Sequence, residues 1–345
     1  MRHAVIRILS LAALSVPPVN AAVNSIATPS AAAPDIVLPT VEIPPPAETK
    51  AEDFVYVAAT SADRIGRVMA PVFVNGTGPF AFVVDTGASS SVMSPRLVMR
   101  LKLAPDPKRT KLLRGITGSE VVSTVAVQNI TAGEITLPQL ELPVVEPRVF
   151  ADADGIFGAD AFAHGCLYVN FLRSQVSILR TSCPRVDVKW EVVRARLRFG
   201  GLAMVRARVG GVGVTAIIDT GAERSLGNPA LLEALGLQTA AADPATRRQI
   251  YAATAQEVFG NIVATSTIRI GHTDIDNLHV VFGAFEVFRM WGVENEPAIV
   301  LGMDVLGTAN AMMIDYRREE LRLLPPGEEN TVRSRKPITP SRLPQ

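Results

Sequence analysis

The sequence predicts an all-β protein built of two pseudo-symmetric lobes, and three observations lead there. Between residues 54 and 325, short runs of Val, Ile, Leu and Phe are punctuated by Gly, Asn, Asp and Pro at roughly eight- to twelve-residue intervals, the rhythm of short strands and turns. Helical patterns are few and short. Phe82-Val83-Val84-Asp85-Thr86-Gly87-Ala88 then returns as Ala216-Ile217-Ile218-Asp219-Thr220-Gly221-Ala222, an offset of 134 (219 − 85). A second block recurs downstream: Gly155-Ile156-Phe157-Gly158-Ala159-Asp160-Ala161-Phe162 matches Ile299-Val300-Leu301-Gly302-Met303-Asp304-Val305-Leu306, at an offset of 144 (302 − 158).

The repeat holds beyond its motifs. Gly76 maps to Gly210, Ser91 to Ser225 and Val92 to Leu226. Ser94-Pro95 maps to Asn228-Pro229, in each case a capping side chain followed by Pro at the first helical position. Leu97, Leu101 and Leu103 map to Leu231, Leu235 and Leu237, and Val169-Asn170-Phe171 to Ile314-Asp315-Tyr316. The offset grows by about ten residues between the blocks, as insertions into loops would make it. The expected lobes are residues 54–183 and 190–325, joined by 181–189.

Outside the lobes the chain reads differently. Arg2, His3 and Arg7 precede a short apolar run, Ile8 to Val16, which Pro17 and Pro18 break; Val19-Asn20-Ala21 offers a cleavage site. This predicts a signal peptide over 1–22 and an exported protein, periplasmic or secreted, with an uncleaved anchor as the alternative. The run is short for a bilayer, and no later stretch resembles a spanning helix, so no stable membrane span is expected after signal removal. Residues 23–53, rich in Ala, Pro and Thr around Pro44-Pro45-Pro46, read as a linker or a removable prosegment. Residues 326–345 read as a disordered, Pro-rich and basic tail.

Composition narrows the function. With 48% hydrophobic residues the chain can bury a large core, and a formal net charge of +1 without basic blocks argues against a nucleic-acid partner. Four dispersed histidines and two cysteines make no metal-ligand cluster, and no cofactor is expected. Cys166 and Cys183 flank an expected hairpin, Leu167 to Phe171 and Val176 to Leu179. In an oxidising compartment they form a candidate disulfide; two independent buried thiols are the alternative.

The repeated Asp-Thr-Gly is where chemistry concentrates. Three apolar residues before each Asp read as a buried strand, and Thr-Gly as a tight turn that leaves the carboxylate at the strand end. One such Asp is an ordinary turn residue. Two, on lobes related by a pseudo-twofold axis, can meet at the interface and share a proton. One then serves as base and the other as acid on a water held between them. Aspartic proteases are the standard example of that electrostatic effect.

Asp85-Thr86-Gly87-Ala88-Ser89 and Asp219-Thr220-Gly221-Ala222-Glu223 resemble the active-site signatures of the pepsin and retropepsin superfamily of aspartic peptidases. Ile156-Phe157-Gly158 and Val300-Leu301-Gly302 resemble its second hallmark, and Leu301-Gly302-Met303-Asp304 is most similar to bacterial retropepsin-like proteins. The resemblance covers most of residues 65–324. It implies two closed β-barrel acid-protease lobes around a cleft, with Asp85 and Asp219 catalytic. Thr86 and Thr220 would lock the two loops together, and Gly87 and Gly221 would make backbone contacts near the pair. An extended polypeptide substrate would lie in the cleft beneath a flap. Gly115, Ile116, Thr117 and Gly118 form the flap candidate of the first lobe, and Tyr251 with Ala252-Ala253-Thr254 that of the second. The chain departs from the pepsin pattern at Arg114, where pepsins carry the flap Tyr, and at Glu223.

The expected activity is that of an aspartic endopeptidase, monomeric because both lobes lie in one chain. The alternative is a peptide-binding module that keeps the fold without cutting. Other acidic and aromatic residues take structural readings: Asp160 and Asp304 as helix caps, Asp152 and Asp154 in a solvated loop, His164 at the surface. Trp190 and Trp291 read as core or cleft wall, and Arg317 and Arg318 as a solvated strand end or turn.

Overall fold

In the strand Thr77–Val84 the exposed residues are confined to the first half and Ala81, whereas Phe82, Val83 and Val84 are all buried. The counterpart Val212–Ile218 likewise becomes wholly buried toward its end. A strand buried on both faces must lie between two layers, and that is how each lobe carries its repeated block to the molecular centre. The hairpins that feed these strands turn at Asn75-Gly76 and Gly210-Gly211, all four residues with positive φ (50°, 73°, 54° and 86°), as tight two-residue turns between twisted strands require.

These features come from a computed structural model describing residues 5–7, 11–12, 54–59, 61–62, 66–132, 135–145, 150–238, 246–254, 256–276 and 278–327. The expected signal peptide, linker and tail fall almost wholly outside the described residues. The protein is all-β, with helices of only a few residues. Ser94 and Asn228 cap the two matching helices Pro95–Arg100 and Pro229–Ala234, accepting from the N–H groups of Leu97 (3.2 Å) and Leu231 (2.8 Å). Among the described residues no helix is long and apolar enough to cross a membrane.

Among the described residues the strands form a nine-stranded and a 16-stranded sheet. The first belongs to the N-terminal lobe. The second runs from the C-terminal lobe into a layer built from both halves of the chain. There Cys166–Asn170 pairs antiparallel with Ala311–Asp315, Gln175–Leu179 with Phe54–Ala59, and Glu191–Arg198 with Glu320–Leu324. This corrects the expectation of closed barrels. The last hairpin of each repeat pairs on one side with a strand of its own lobe and on the other with the hairpin of the other repeat, so neither lobe's sheet closes on itself.

The segment linking the lobes is pinned to this shared layer. Cys166 and Cys183 are disulfide-bonded, and the Cys183 N–H donates to Asp315 Oδ2 at 2.8 Å. Arg318 donates to the carbonyl of Cys183 (2.9 Å) and Arg322 to that of Pro184 (2.5 Å), and both guanidinium groups also contact Asp315. Arg317 and Arg318 lie exposed in the turn after Ala311–Asp315, as expected, and from there Arg318 reaches back to the fully buried Asp315. The disulfide closes a loop of sequence separation 17. Replacing both cysteines by Ser is expected to cost about 3 kcal/mol through the unfolded chain. A lower urea midpoint checks this, and an unmoved midpoint contradicts it.

Candidate active site

The two Asp-Thr-Gly loops begin where ladder pairing hands the backbone over to a turn. Val84 lies opposite Phe157 and Ile218 opposite Leu301 in parallel pairs, and the N–H groups of Asp85 and Asp219 donate to the carbonyls of Phe157 and Leu301, each at 3.1 Å. The apolar-Gly strand of each lobe thus lies beside its own Asp strand. It also pairs on its other side with the short strand after the loop, Val92–Met93 or Leu226–Gly227. Each loop is held from both ends.

The loops then exchange hydrogen bonds across the lobes. Thr86 Oγ1 donates to the carbonyl of Ile218 (2.9 Å) and accepts from the N–H of Thr220 (3.1 Å). Thr220 Oγ1 donates to the carbonyl of Val84 (2.7 Å) and accepts from the N–H of Thr86 (3.1 Å). Four buried backbone groups that no strand could satisfy are satisfied by two hydroxyls. A Cβ on Gly87 would run into the Asp219 carboxyl, and one on Gly221 into that of Asp85. Glycine at these positions lets each loop abut the opposite carboxylate.

Asp85 and Asp219 are fully buried and within hydrogen-bonding reach of each other. Burial raises the pKa of both, Asp219 to about 7, and the Asp219 charge raises Asp85 further. Backbone donors oppose the shift unequally. Asp219 Oδ1 accepts from Gly221 (2.9 Å) and Ala222 (3.0 Å), Asp85 Oδ1 from Gly87 alone (2.8 Å). The additional N–H donor favours the negative charge on Asp219 over Asp85. The Oδ2 atoms of both are buried, and no donor among the described residues reaches them.

A duplicated brace lies behind each loop. Ser91 Oγ donates to Asp160 Oδ1 (2.8 Å) and its N–H to Oδ2 (2.9 Å); Ser225 and Asp304 do the same at 2.8 and 3.1 Å. The same hydroxyls accept from the N–H groups of Gly158 (3.2 Å) and Gly302 (3.1 Å). Asp160 and Asp304 therefore tie the apolar-Gly segment to the Asp loop, and neither caps its own short helix. Asp154 also departs from expectation: it is buried, accepts from the Ala81 N–H at 3.1 Å and pairs with Arg96 at 2.9 Å.

Gly115, Ile116, Thr117 and Gly118 form the tip of a long hairpin, with Gly115 opposite Gly118 and Ile116-Thr117 at the turn. Tyr251 ends the strand Arg247–Tyr251, and Ala252-Ala253-Thr254 follow it. The two tips meet: Thr117 Oγ1 lies 2.5 Å from Thr254 Oγ1. Ile116 buries itself in the second lobe's cluster with Ile250, Phe285 and Phe288, while Ala253 enters the first lobe's cluster with Val83, Leu113 and Ile156. Tyr251 is half-buried. The sequence indicated both tips, but their exchange of apolar residues depends on contacts between lobes that no local pattern encodes. Two short N-terminal strands pair with these hairpins, Val5–Arg7 parallel to Arg247–Tyr251 and Leu11–Ala12 antiparallel to Asp106–Gly115.

Comparison with known proteins agrees with this geometry. The family model described as "Aspartyl protease" matches residues 70–161 and 205–305, in tandem and together more than half of the chain. No curated protein matches it.

Two outcomes follow. Thr220→Val strips the Thr86 N–H and the Val84 carbonyl of their partners and is expected to destabilise the fold by about 2 kcal/mol or more, read by denaturant unfolding. A carboxyl whose pKa is raised by folding stabilises the fold fully below its unfolded value of 3.8 and loses that contribution as pH rises through the folded value. The melting temperature of the wild type is therefore expected to fall between about pH 4 and pH 7 and above. Asp219→Asn flattens that slope; parallel curves for the two proteins would contradict the assignment.

Proposed function

The chain belongs to the aspartyl protease family, and from that premise we propose that it is an endopeptidase that hydrolyses peptide bonds with a water activated between Asp85 and Asp219. The observation that carries this reading is the fully buried carboxyl pair, each member abutted by the glycine of the other lobe's loop. Both pKa values are raised, so one proton is shared.

The chemistry follows from the unequal solvation of the two acids. Asp219, ionised and held by two N–H donors, takes a proton from the water as its oxygen attacks the peptide carbonyl carbon. Asp85 gives its proton to the carbonyl oxygen, where negative charge develops. The tetrahedral intermediate then collapses: the C–N bond breaks, the amine leaves with a proton from Asp219, and Asp85 regains its own from the intermediate. The pair ends as it began. A buried setting strengthens each of these electrostatic terms.

The substrate in this reading is a polypeptide in extended conformation, paired by its backbone to the two flap hairpins. The N-terminal strands on those hairpins support it, since they show that both edges accept an added strand. The same pairing gives a place for the tips at Ile116 and Ala253 to close over a bound chain. The positively charged, apolar N-terminal stretch supports export as the setting. One chain supplies both halves of the site, which supports a monomer.

Asp85→Asn and Asp219→Asn each remove one role while keeping the shape of the side chain. Either is expected to lower cleavage of an unfolded protein mixture by at least about 10²-fold across pH, with the fold intact by circular dichroism. Undiminished cleavage by both variants would take these residues out of the mechanism. Binding of extended peptides without cleavage by the wild type would favour the non-cutting module instead.

A further inference from the structure

A buried cation stands beside the carboxyl pair in one lobe only. Arg67 is fully buried, the largest such side chain in the described residues. Met69 lies opposite Val83 in the antiparallel pair of Val68–Val74 with Thr77–Val84. Carried two residues on, that register sets Arg67 opposite Asp85, on the face shared by Met69 and Val83. The guanidinium Nη2 donates to the carbonyl of Phe150 at 3.1 Å, and Phe150 packs with Met69 and Val83. In the second lobe Met204 lies opposite Ile217, which sets Leu202 opposite Asp219, packed with Met204 and Ile217. The pseudo-twofold axis thus relates an arginine to a leucine.

Burial turns this difference into a selection among charge states. A guanidinium stays protonated at any working pH, and a buried charge is costly unless an opposite charge is near. The carboxyl pair can hold two protons, one or none. Only the one-proton form, with a single negative charge, sums to zero with Arg67. The doubly protonated form leaves a buried cation, and the fully ionised form a buried excess anion.

We propose that Arg67 is a positioning residue for the reaction: its fixed charge makes the one-proton form of Asp85 and Asp219 the resting state and so sets the pH window of cleavage. The proposal rests on the endopeptidase reading of that pair. In support, the Arg67 charge pulls the pKa of both carboxyls downward, against burial. Other titratable groups surround the pair. Tyr316, at the end of Ala311–Asp315, has its pKa pushed up first by burial and then by Asp85, and stays neutral. Asp160 and Asp304, from the short helices packed on the loops, are bonded to Ser91 and Ser225. Glu223 and Arg224, on the second loop, pair with each other at 4.0 Å.

The test compares kcat/KM against pH for the wild type, Arg67→Met and Arg67→Lys. Removing the cation raises both apparent carboxyl pKa values, so both limbs of the profile are expected to move to higher pH in Arg67→Met. Each unit of displacement costs tenfold on the acid limb. Arg67→Lys keeps the charge and restores the wild-type limbs. A side chain that merely packs would lower activity at every pH without displacing the profile, and that result overturns the proposal. Carbon-13 titration of the aspartate carboxyls in the full chain gives a reading that needs no cleavage: both values rise in Arg67→Met. If that variant does not fold, Arg67→Gln keeps donors for the Phe150 carbonyl without the charge and serves the same comparison. Absence of cleavage by the wild type overturns the endopeptidase reading, whereas an unshifted carboxyl titration overturns the role of Arg67 whatever becomes of that reading.

Discussion

Two threonine hydroxyls hold the molecule's halves at the distance on which the rest depends. Each donates to a backbone carbonyl of the opposite lobe and accepts a backbone N–H from it. Buried backbone groups left unpaired are expensive, so neither loop can retreat without exposing its partner's polar atoms to an apolar surround. With the loops fixed at that spacing, only glycine fits between each loop and the facing carboxylate. The closeness and burial of the carboxyls, and hence their raised pKa values, are consequences of a contact made one residue further along each chain. The order of causes runs from backbone satisfaction to electrostatics.

Around this contact the supports are built in duplicate. Each loop is braced by a Ser–Asp pair from its own lobe, and the lobes are joined beneath by exchanged hairpins, with Cys166–Asn170 paired to Ala311–Asp315. The Asp315 cluster and the disulfide anchor the linking segment to that layer. Above the site the flap tips exchange Ile116 and Ala253 between the lobes' apolar clusters. The halves are therefore tied below and at the loops by polar and backbone bonds, and above by the exchanged apolar side chains together with the Thr117–Thr254 contact and the bond from the Glu286 N–H to the Ile116 carbonyl. Parting the flap tips breaks no strand ladder between the lobes, which makes this the weakest of the three ties.

What the sequence made legible was what is local or repeated. The Asp-Thr-Gly copies, the Ser94 and Asn228 caps and the paired cysteines are short patterns whose chemistry fixes their place. The partner of each final hairpin was not legible, because a hairpin that pairs within its lobe and one that pairs across the interface have the same alternation; hence closed barrels were expected where the sheets are open. Asp160 and Asp304 sit in the first turn of short helices, the usual position of a cap or a dipole-favoured acid, and only the approach of Ser91 and Ser225 from a distant segment distinguishes their role. Arg67 was hidden by counting. The strand Val68–Val74 has a register shift between Val72 and Val74, whereas its counterpart Leu202–Val209 keeps one register throughout. The sequence offset of 134 therefore aligns Arg67 with Gly201, one residue away from Leu202, its structural equivalent.

That slip bears on why a single chain suits this chemistry. In an assembly of two identical lobes, any residue beside one carboxyl is repeated beside the other. An arginine at the position of Arg67 would then bring two cations to a pair that carries one negative charge, and the excess would have to be balanced by further buried anions. A leucine at both positions would bring none, and burial alone would push the pair toward its fully protonated form. Once the lobes are fused, their residues can diverge. One lobe supplies a cation and the other a shorter apolar side chain, and the sum matches a pair sharing a single proton. The duplicated threonines and glycines keep the symmetry that brings the carboxyls together. The Arg67 and Leu202 positions break it where a symmetric arrangement cannot give a neutral centre around a pair that holds a single proton.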